Sequence, residues 1–351
     1  MTTLIIPCGG KSTRFPGMRP KYLLTDPSGE LMVRKSIEKM DIACFDKIVI
    51  AIVKEHDVLY EAKLILEQAF NDLTNVEICV LPTFTKSASD TVKQTIVRTN
   101  INGPIVVKDA DNQMSFDQSF IGTDFVVGLE VGKNSIVNNI QQKSFIKVNE
   151  QGVITNIVEK NIISNIICIG VYGFKSSEEF LNTVEILETS NLKGEIYLSN
   201  VIAYLILKNT FIFRYSPADS YEDWGTLVEW NKYKEKYNTY FVDVDGVLLK
   251  NCGKYGKVNW SNNADVLEDN IKKIIELQKN GAQIVITTSR PKENMEFLGA
   301  IFKKYNFKPD YILNGLNHSR RIIINDFAPT NPYPSCKAIS IPRNSNIKAY
   351  L

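Results

Sequence analysis

The chain has 351 residues, 44% of them hydrophobic and 23% charged, with a formal net charge of +2. That length is more than one hydrophobic core usually serves, so two domains are expected. Basic residues are interspersed with acidic ones, which excludes the charge runs that nucleic-acid or anionic-membrane binding uses and leaves small anionic ligands as compatible partners.

In chain order, short β-branched runs alternate with amphipathic helical patterns, the sign of a mainly parallel sheet covered by helices. Strands are predicted at 4–7, 47–53, 76–81, 104–108 and 124–130, with helices between them at 31–40, 56–70 and 89–99. Further strands follow at 145–148, 153–158 and 166–174, then helices at 176–188 and 195–207. A charged, tyrosine-containing segment at 231–239 separates these from a fresh strand at 240–242, which divides the chain into domains 1–232 and 238–351. The pattern then restarts with helix 266–280, strand 282–287, helix 292–305 and strands 311–313, 321–325 and 337–341. This is a second α/β unit of roughly a hundred residues.

Six cysteines, Cys8, Cys44, Cys79, Cys168, Cys252 and Cys336, show no C-x-x-C spacing, so free thiols in a reducing compartment are expected and structural zinc is not. No apolar stretch approaches membrane-spanning length and no signal peptide precedes the first strand, which predicts a cytoplasmic protein. His56 and His318 are read as surface or cap residues.

The first strand runs into Cys8-Gly9-Gly10-Lys11-Ser12-Thr13-Arg14-Phe15, with Pro20-Lys21 just beyond. Backbone N–H groups of such a loop converge on phosphate oxygens, and Arg14 and Lys21 add fixed positive charge where an α-phosphate would be attacked. Cys8 through Thr13 are therefore predicted to bind nucleotide. Neither a Walker A motif nor a G-x-G-x-x-G fingerprint fits. A triphosphate also needs a divalent cation, and hard cations take carboxylate oxygens at strand ends. Asp109-Ala110-Asp111 follows one predicted strand and Glu222-Asp223-Trp224-Gly225-Thr226 lies in a later turn, so Asp111 and Asp223 are the predicted Mg²⁺ ligands.

In the second unit, Tyr240-Phe241-Val242-Asp243-Val244-Asp245-Gly246 places two carboxylates at a strand end. That spacing suits phosphoryl transfer, with Asp243 attacking phosphorus and Asp245 protonating the leaving oxygen and then activating water. Thr288 and Ser289 end another predicted strand with phosphate-binding hydroxyls, and Asp326 ends a third with a carboxylate for Mg²⁺.

Taken in order, these segments resemble two families. The loop and P-K pair resemble the G-G-x-G-T-R signature of sugar-phosphate nucleotidylyltransferases, with Ser12 in place of the last glycine. Ser87-Ala88-Ser89-Asp90-Thr91 resembles their base- and ribose-contacting segment, which implies Ser89 and Thr91 at the nucleotide. Glu159-Lys160, Gly170-Val171-Tyr172-Gly173-Phe174 and Glu195-Ile196-Tyr197-Leu198-Ser199 resemble their acceptor-side motifs, which implies Glu159, Lys160, Gly170 and Glu195 at the substrate. The short Arg14-to-Lys21 spacing resembles the cytidylyltransferase branch, which implies CTP. Residues 238–351 resemble the haloacid dehalogenase phosphatases, which implies Mg²⁺ on Asp243 and Asp326 and a phosphate contact from Arg321.

The expected fold is thus α/β: a GT-A-like Rossmann-type mixed sheet followed by a small, capless haloacid dehalogenase-like domain. The expected enzyme is bifunctional, joining an NTP to a sugar or polyol phosphate for capsule or other surface polysaccharide, with a fused phosphatase. A homo-oligomer is compatible with it. A GT-A glycosyltransferase using Asp109-x-Asp111 and a non-catalytic nucleotide sensor are the alternatives.

Overall fold

The run Lys47–Val53 is apolar at nearly every position and buried at all but its first, and burial on both faces is what a central parallel strand requires. In the computed structural model, which describes residues 1–132, 139–190, 194–252, 260, 264–326, 328 and 335–351, it lies inside a sheet of ten strands. The described residues form two units, Met1–Trp230 and Asn231–Leu351, each with its own apolar core.

The strands of the first unit are β1 Thr3–Pro7, β2 Lys47–Val53, β3 Val76–Leu81, β4 Ile105–Lys108, β5 Asn112–Phe116, β6 Phe125–Glu130, β7 Ser144–Val148, β8 Ile154–Glu159, β9 Ile166–Phe174 and β10 Arg214–Asp223. Their order is β3-β2-β1-β4-β9-β6-β10-β5, with the hairpin β7-β8 attached to β9 through β7. β3, β2, β1 and β4 run parallel, while β9 is antiparallel to β4 and β6. Leu4 and Ile6 enter one core and Ile5 the other, as alternation along a strand dictates when helices cover both faces.

The helices of this unit are α1 Met32–Ile37, α2 Lys54–Tyr60, α3 Ala62–Ala69, α4 Ala88–Thr99, α5 Ser177–Thr189 and α6 Leu198–Leu207, and α7 Leu227–Glu235 begins in it. The helix expected over 56–70 is two helices, because Glu61 takes a left-handed φ of 53° and interrupts the ladder. α4 starts where Ser87 Oγ accepts from Asp90 N at 3.1 Å and caps its first turn. β5 and β10 were not among the predicted strands, and they build the site described below.

The second unit contains β11 Thr239–Asp243, α8 Glu268–Lys279, β12 Gln283–Thr287, α9 Met295–Lys304 and β13 Tyr311–Leu313. Its sheet is parallel, in the order β11-β12-β13. The strands expected at 321–325 and 337–341 are not formed, and Ile322 and Ile324 stand 77% and 94% exposed. A β-branched run is strand-like only when an edge receives it, and no ladder reaches these residues.

His56 corrects a further expectation, since it is buried at 5% exposure and not a surface or cap residue. Its Nδ1 meets the Tyr22 hydroxyl at 3.1 Å, and Phe84 packs on its ring edge-on at 5.2 Å between centroids. Burial pushes its pKa down to about 4. A base held below its unfolded value stabilises the fold fully above the unfolded pKa near 6.5, and that contribution is lost as pH falls from there towards 4. The wild type is therefore expected to lose on the order of 1–2 kcal/mol from this residue between pH 7.5 and 5. Urea unfolding of wild type and His56→Gln at both pH values checks it: the variant should show a shallower pH dependence by that amount, and equal dependence would contradict the assignment.

Candidate active site

The glycine loop leaves β1 at Pro7 and is held at its base by Cys8 N–H on the Ala51 carbonyl at 2.8 Å. Gly9 packs against the start of α4: a Cβ there would stand 2.9 Å from both the Thr85 and Thr91 hydroxyls, which bond each other at 2.6 Å. No residue with a side chain fits without displacing that pair. Ser12 takes a φ of 51°, so it occupies the left-handed conformation that the corresponding glycine of the resembling signature would favour. Its Oγ accepts from Lys21 N at 3.3 Å, tying the loop to the lysine. Phe15, 2% exposed, anchors the loop, while Lys11, Thr13 and Arg14 stay exposed.

Strand register brings the two predicted metal carboxylates together. Asp111 immediately precedes β5, and the antiparallel pairing of β5 with β10 sets Asn112 opposite Asp223. Trp224 N–H then donates to the Asp111 carbonyl at 2.8 Å, closing the end of the ladder. A Cβ on Gly225 would stand 3.0 Å from Asp223 Oδ1, 3.4 Å from Asp111 Oδ2 and 3.6 Å from Arg14 Nη1, so the absence of a side chain keeps this space open. Beyond it, Thr226 and Glu229 form a reciprocal capping box at the start of α7, with bonds of 3.0 and 3.3 Å. Trp224, fully buried, packs edge-on to Trp230 at 5.7 Å.

Lys21 Nζ bonds Asp111 Oδ2 at 2.5 Å, and Arg14 lies 4.0 Å from the same oxygen. Burial works against the Asp111 charge, yet Lys21 and then Arg14 outweigh it and hold the carboxyl well below its ordinary range. Asp109 differs. Burial first, and the Asp111 charge second, push it up to about 6. Its carboxylate abuts Gly170, where a Cβ would come within 2.5 Å of Asp109 Oδ2. Gly170 therefore acts as clearance for this turn, and its carbonyl accepts from Asp109 N at 2.9 Å.

Lys108, fully buried at the end of β4, holds the same turn from inside. Its ammonium donates to the Asp109 carbonyl at 2.5 Å, the Asn112 carbonyl at 2.9 Å and Asn112 Oδ1 at 2.6 Å, and burial pushes it down to about 8. A lysine closing an otherwise apolar strand was the sequence signal for this role.

The loop and the carboxylates line one cavity of about 850 Å³, within the range of small-ligand sites. Glu159, Lys160, Glu195 and Gly170 also line it. Glu159 Oε2 accepts from the Ser144 hydroxyl and, at 2.8 Å, from Ser199 Oγ. Lys160 donates to the Tyr197 hydroxyl at 2.7 Å and lies 4.5 Å from its ring centre. Thr91 lines the cavity, but Ser89 does not: fully buried, it donates to the Ile196 carbonyl at 2.5 Å. Lys143, Ser144 and Tyr221 were not predicted, because each is a lone polar residue with no motif around it, and of the Glu195–Ser199 segment only Glu195 was assigned to the substrate, although Tyr197 and Ser199 also line the cavity.

In the second unit, register aligns Asp243, Thr287 and Leu313 across the carboxyl ends of β11, β12 and β13, where ligands of open α/β sheets bind. Arg321 Nη2 donates to Ser289 Oγ at 3.1 Å. Desolvation pushes the Asp243 carboxyl above its ordinary range, with the Asp245 charge adding to it and Arg321 opposing. Thr288 is buried, with its Oγ1 accepting from Arg290 N at 3.1 Å. Asp245 accepts twice from the fully buried Arg290, at 2.9 and 2.6 Å. The residue assigned to proton transfer is thus also one half of a bidentate ion pair. Asp326 is exposed on the segment that forms no strand, and its contacts are local. Among the described residues no group of three or more His, Cys, Asp or Glu side chains gathers as for a metal. A pair of carboxylates remains at Asp111 and Asp223, which fits Mg²⁺, a cation commonly held by one or two carboxylates together with substrate phosphates and water.

No protein-family model matches the chain, and no curated protein matches it in sequence. Solved structures do match in fold. A nucleoside-diphosphate-sugar pyrophosphorylase from Vibrio cholerae is 19% identical, with a TM-score of 0.55 over 66% of this chain and 99% of that one. A UDP-glucose pyrophosphorylase solved with UDP-glucose is 17% identical, with a TM-score of 0.52 over 67% and 97%. The inositol-1-phosphate CTP transferase of T. maritima is 13% identical, with a TM-score of 0.50 over 67% and 96%. Over about two thirds of its length the chain has the mixed α/β fold of these nucleotidyltransferases. Among the described residues no helix is long and apolar enough to cross a membrane.

The clearance at Gly225 yields a prediction. Gly225→Ala should weaken Mg²⁺ binding roughly 10-fold, the scale of a disturbed ligand setting, while leaving the unfolding midpoint nearly unchanged. Mg²⁺ titration followed by tryptophan fluorescence, with Trp224 adjacent, reads it, and unaltered affinity would contradict the role given to this glycine.

Proposed function

We propose that the first unit is a Mg²⁺-dependent nucleotidyltransferase that moves a nucleotidyl group from an NTP, with CTP as the preferred one, to a sugar or polyol phosphate. The observation that carries this reading is the convergence of Asp111 and Asp223 beside Lys21 and Arg14 in a cavity that Glu159 and Lys160 also line. The fold shared with pyrophosphorylases supports the reaction class, and the likeness to an inositol-1-phosphate CTP transferase agrees with the choice of CTP and of a polyol or sugar phosphate.

In this reading the glycine loop holds the triphosphate through its backbone N–H groups. An oxygen of the acceptor phosphate attacks the α-phosphorus, the bond to the β-phosphate oxygen breaks, and pyrophosphate leaves. Lys21 and Arg14 stabilise the charge that builds on the α-phosphate oxygens. A phosphate acceptor is ionised near neutral pH, so no side chain has to remove a proton. Asp111 and Asp223 would hold Mg²⁺, which supplies charge neutralisation at the phosphates. Glu159, fixed by Ser144 and Ser199, is placed to accept from acceptor hydroxyls.

The D-x-D reading of a GT-A glycosyltransferase would engage Asp109 together with Asp111. Asp109 is instead turned onto Gly170, and Asp111 finds its partner on another strand, which favours nucleotidyl transfer. For the second unit the proposal is a phosphatase with Asp243 as nucleophile and Thr288, Ser289 and Arg321 around the phosphate, with Asp245 released from Arg290 to move the proton. Together the units would make a CDP-linked precursor of capsule or another surface polysaccharide in the cytoplasm.

Lys21→Ala is expected to lower pyrophosphate release by about 10²–10³ with phosphate release by the second unit unchanged. Near-wild-type pyrophosphate release would overturn the assignment. Across the nucleotides CTP should show the highest kcat/KM, and a tenfold preference for a purine, about 1.4 kcal/mol, would reject the base while leaving the reaction class standing.

A further inference from the structure

The acceptor-side wall holds a cation that the mechanism above does not use. Lys143, at the head of β7, donates to Asp223 Oδ2 and, at 3.1 Å, to the Tyr221 hydroxyl. Its side chain is 22% exposed and lines the cavity. Each carboxylate of the pair is therefore held by a lysine from a different element, Asp111 by Lys21 after the glycine loop and Asp223 by Lys143 at the head of β7.

We propose that Lys143 anchors the phosphate of the acceptor. This rests on the nucleotidyltransferase reading. Two anionic phosphates must approach each other in that reaction, and their repulsion has to be offset from both sides. Lys21 and Arg14 stand on the flank of the loop and serve the triphosphate. On the side of β7 and β8, where Glu159 also lines the cavity, Lys143 is the cation available to the second phosphate. Both lysines of this side have partners, Lys160 the Tyr197 hydroxyl at 2.7 Å with its ring 4.5 Å away, Lys143 the Asp223 carboxylate and the Tyr221 hydroxyl, and the identity of the partner is what distinguishes them. Lys143 sits against the metal carboxylate itself, where the reacting phosphates must meet. It selects for a phosphorylated acceptor over the uncharged sugar or polyol.

The test uses the full chain with Mg²⁺ and titrates glucose 1-phosphate, ribose 5-phosphate and glycerol 3-phosphate by calorimetry at fixed ionic strength, with Mg²⁺-CTP titrated separately. Lys143→Met should weaken binding of the best phosphate roughly 10- to 100-fold, the loss of a charge-assisted hydrogen bond, and leave Mg²⁺-CTP binding within twofold. Lys143→Arg should restore most of the phosphate affinity. In turnover, the loss should appear in the KM of the acceptor and not in that of the nucleotide. If Lys143→Met weakens Mg²⁺-CTP and spares the phosphates, the lysine serves the metal carboxylate and the proposal is overturned. Wild-type protein that binds none of the three phosphates also overturns it. Lysine-dependent phosphate binding without any nucleotide binding or pyrophosphate release would uphold the anchor and reject the nucleotidyltransferase reading.

Discussion

The candidate site depends on one strand pairing. β10 runs parallel to β6 from Arg214 to Pro217, then continues antiparallel to β5 from Ala218 to Asp223. That change of partner carries Asp223 from one part of the sheet to the side of Asp111, and a slip of one residue would turn its side chain to the opposite face. The bond from Trp224 N–H to the Asp111 carbonyl and the buried Trp224–Trp230 contact fix the end of the ladder. Everything else in the cavity is arranged around this junction.

Its electrostatics follow from packing negative charge into one place. Asp109 is half-buried and Asp111, two residues on, buried, and the protein treats them unequally: Lys21 and Arg14 keep Asp111 ionised, whereas Asp109 is pushed up to about 6. Lys108 sits behind both and holds the turn by its carbonyl oxygens, so that backbone dipoles as well as side chains set the position of Asp111. Without that clamp the turn would have buried carbonyls to satisfy by other means, which is costly in a dry interior.

The parts of this arrangement differ in how far the sequence discloses them. The loop from Cys8 to Lys21 stands out in the sequence as glycines and fixed cations after an apolar strand, and the fold sets it on the cavity with Lys21 against Asp111. Ser12 was legible as an exception to the signature, although its left-handed backbone was not. β5 and β10 escaped notice because Asn112–Phe116 and Arg214–Asp223 are polar, and β10 contains Pro217 where its pairing is about to change from one strand to the other. Their strand character comes from their neighbours and not from their own residues. The segment Ile322-Ile323-Ile324 failed in the opposite sense, having strong β propensity and no ladder. Lys143 looked like any solvated lysine until the fold set it against Asp223.

The central claim is that Asp111 and Asp223, from different strands, share one cation. A double-mutant cycle on Mg²⁺ binding tests it most directly, using Asp111→Asn, Asp223→Asn and the double variant in otherwise intact protein. If the carboxylates share a metal, each single change weakens Mg²⁺ binding and the double variant is little worse than the poorer single one, an interaction of about 1 kcal/mol or more. Strictly additive losses, or unchanged Mg²⁺ affinity in Asp223→Asn, would contradict the account.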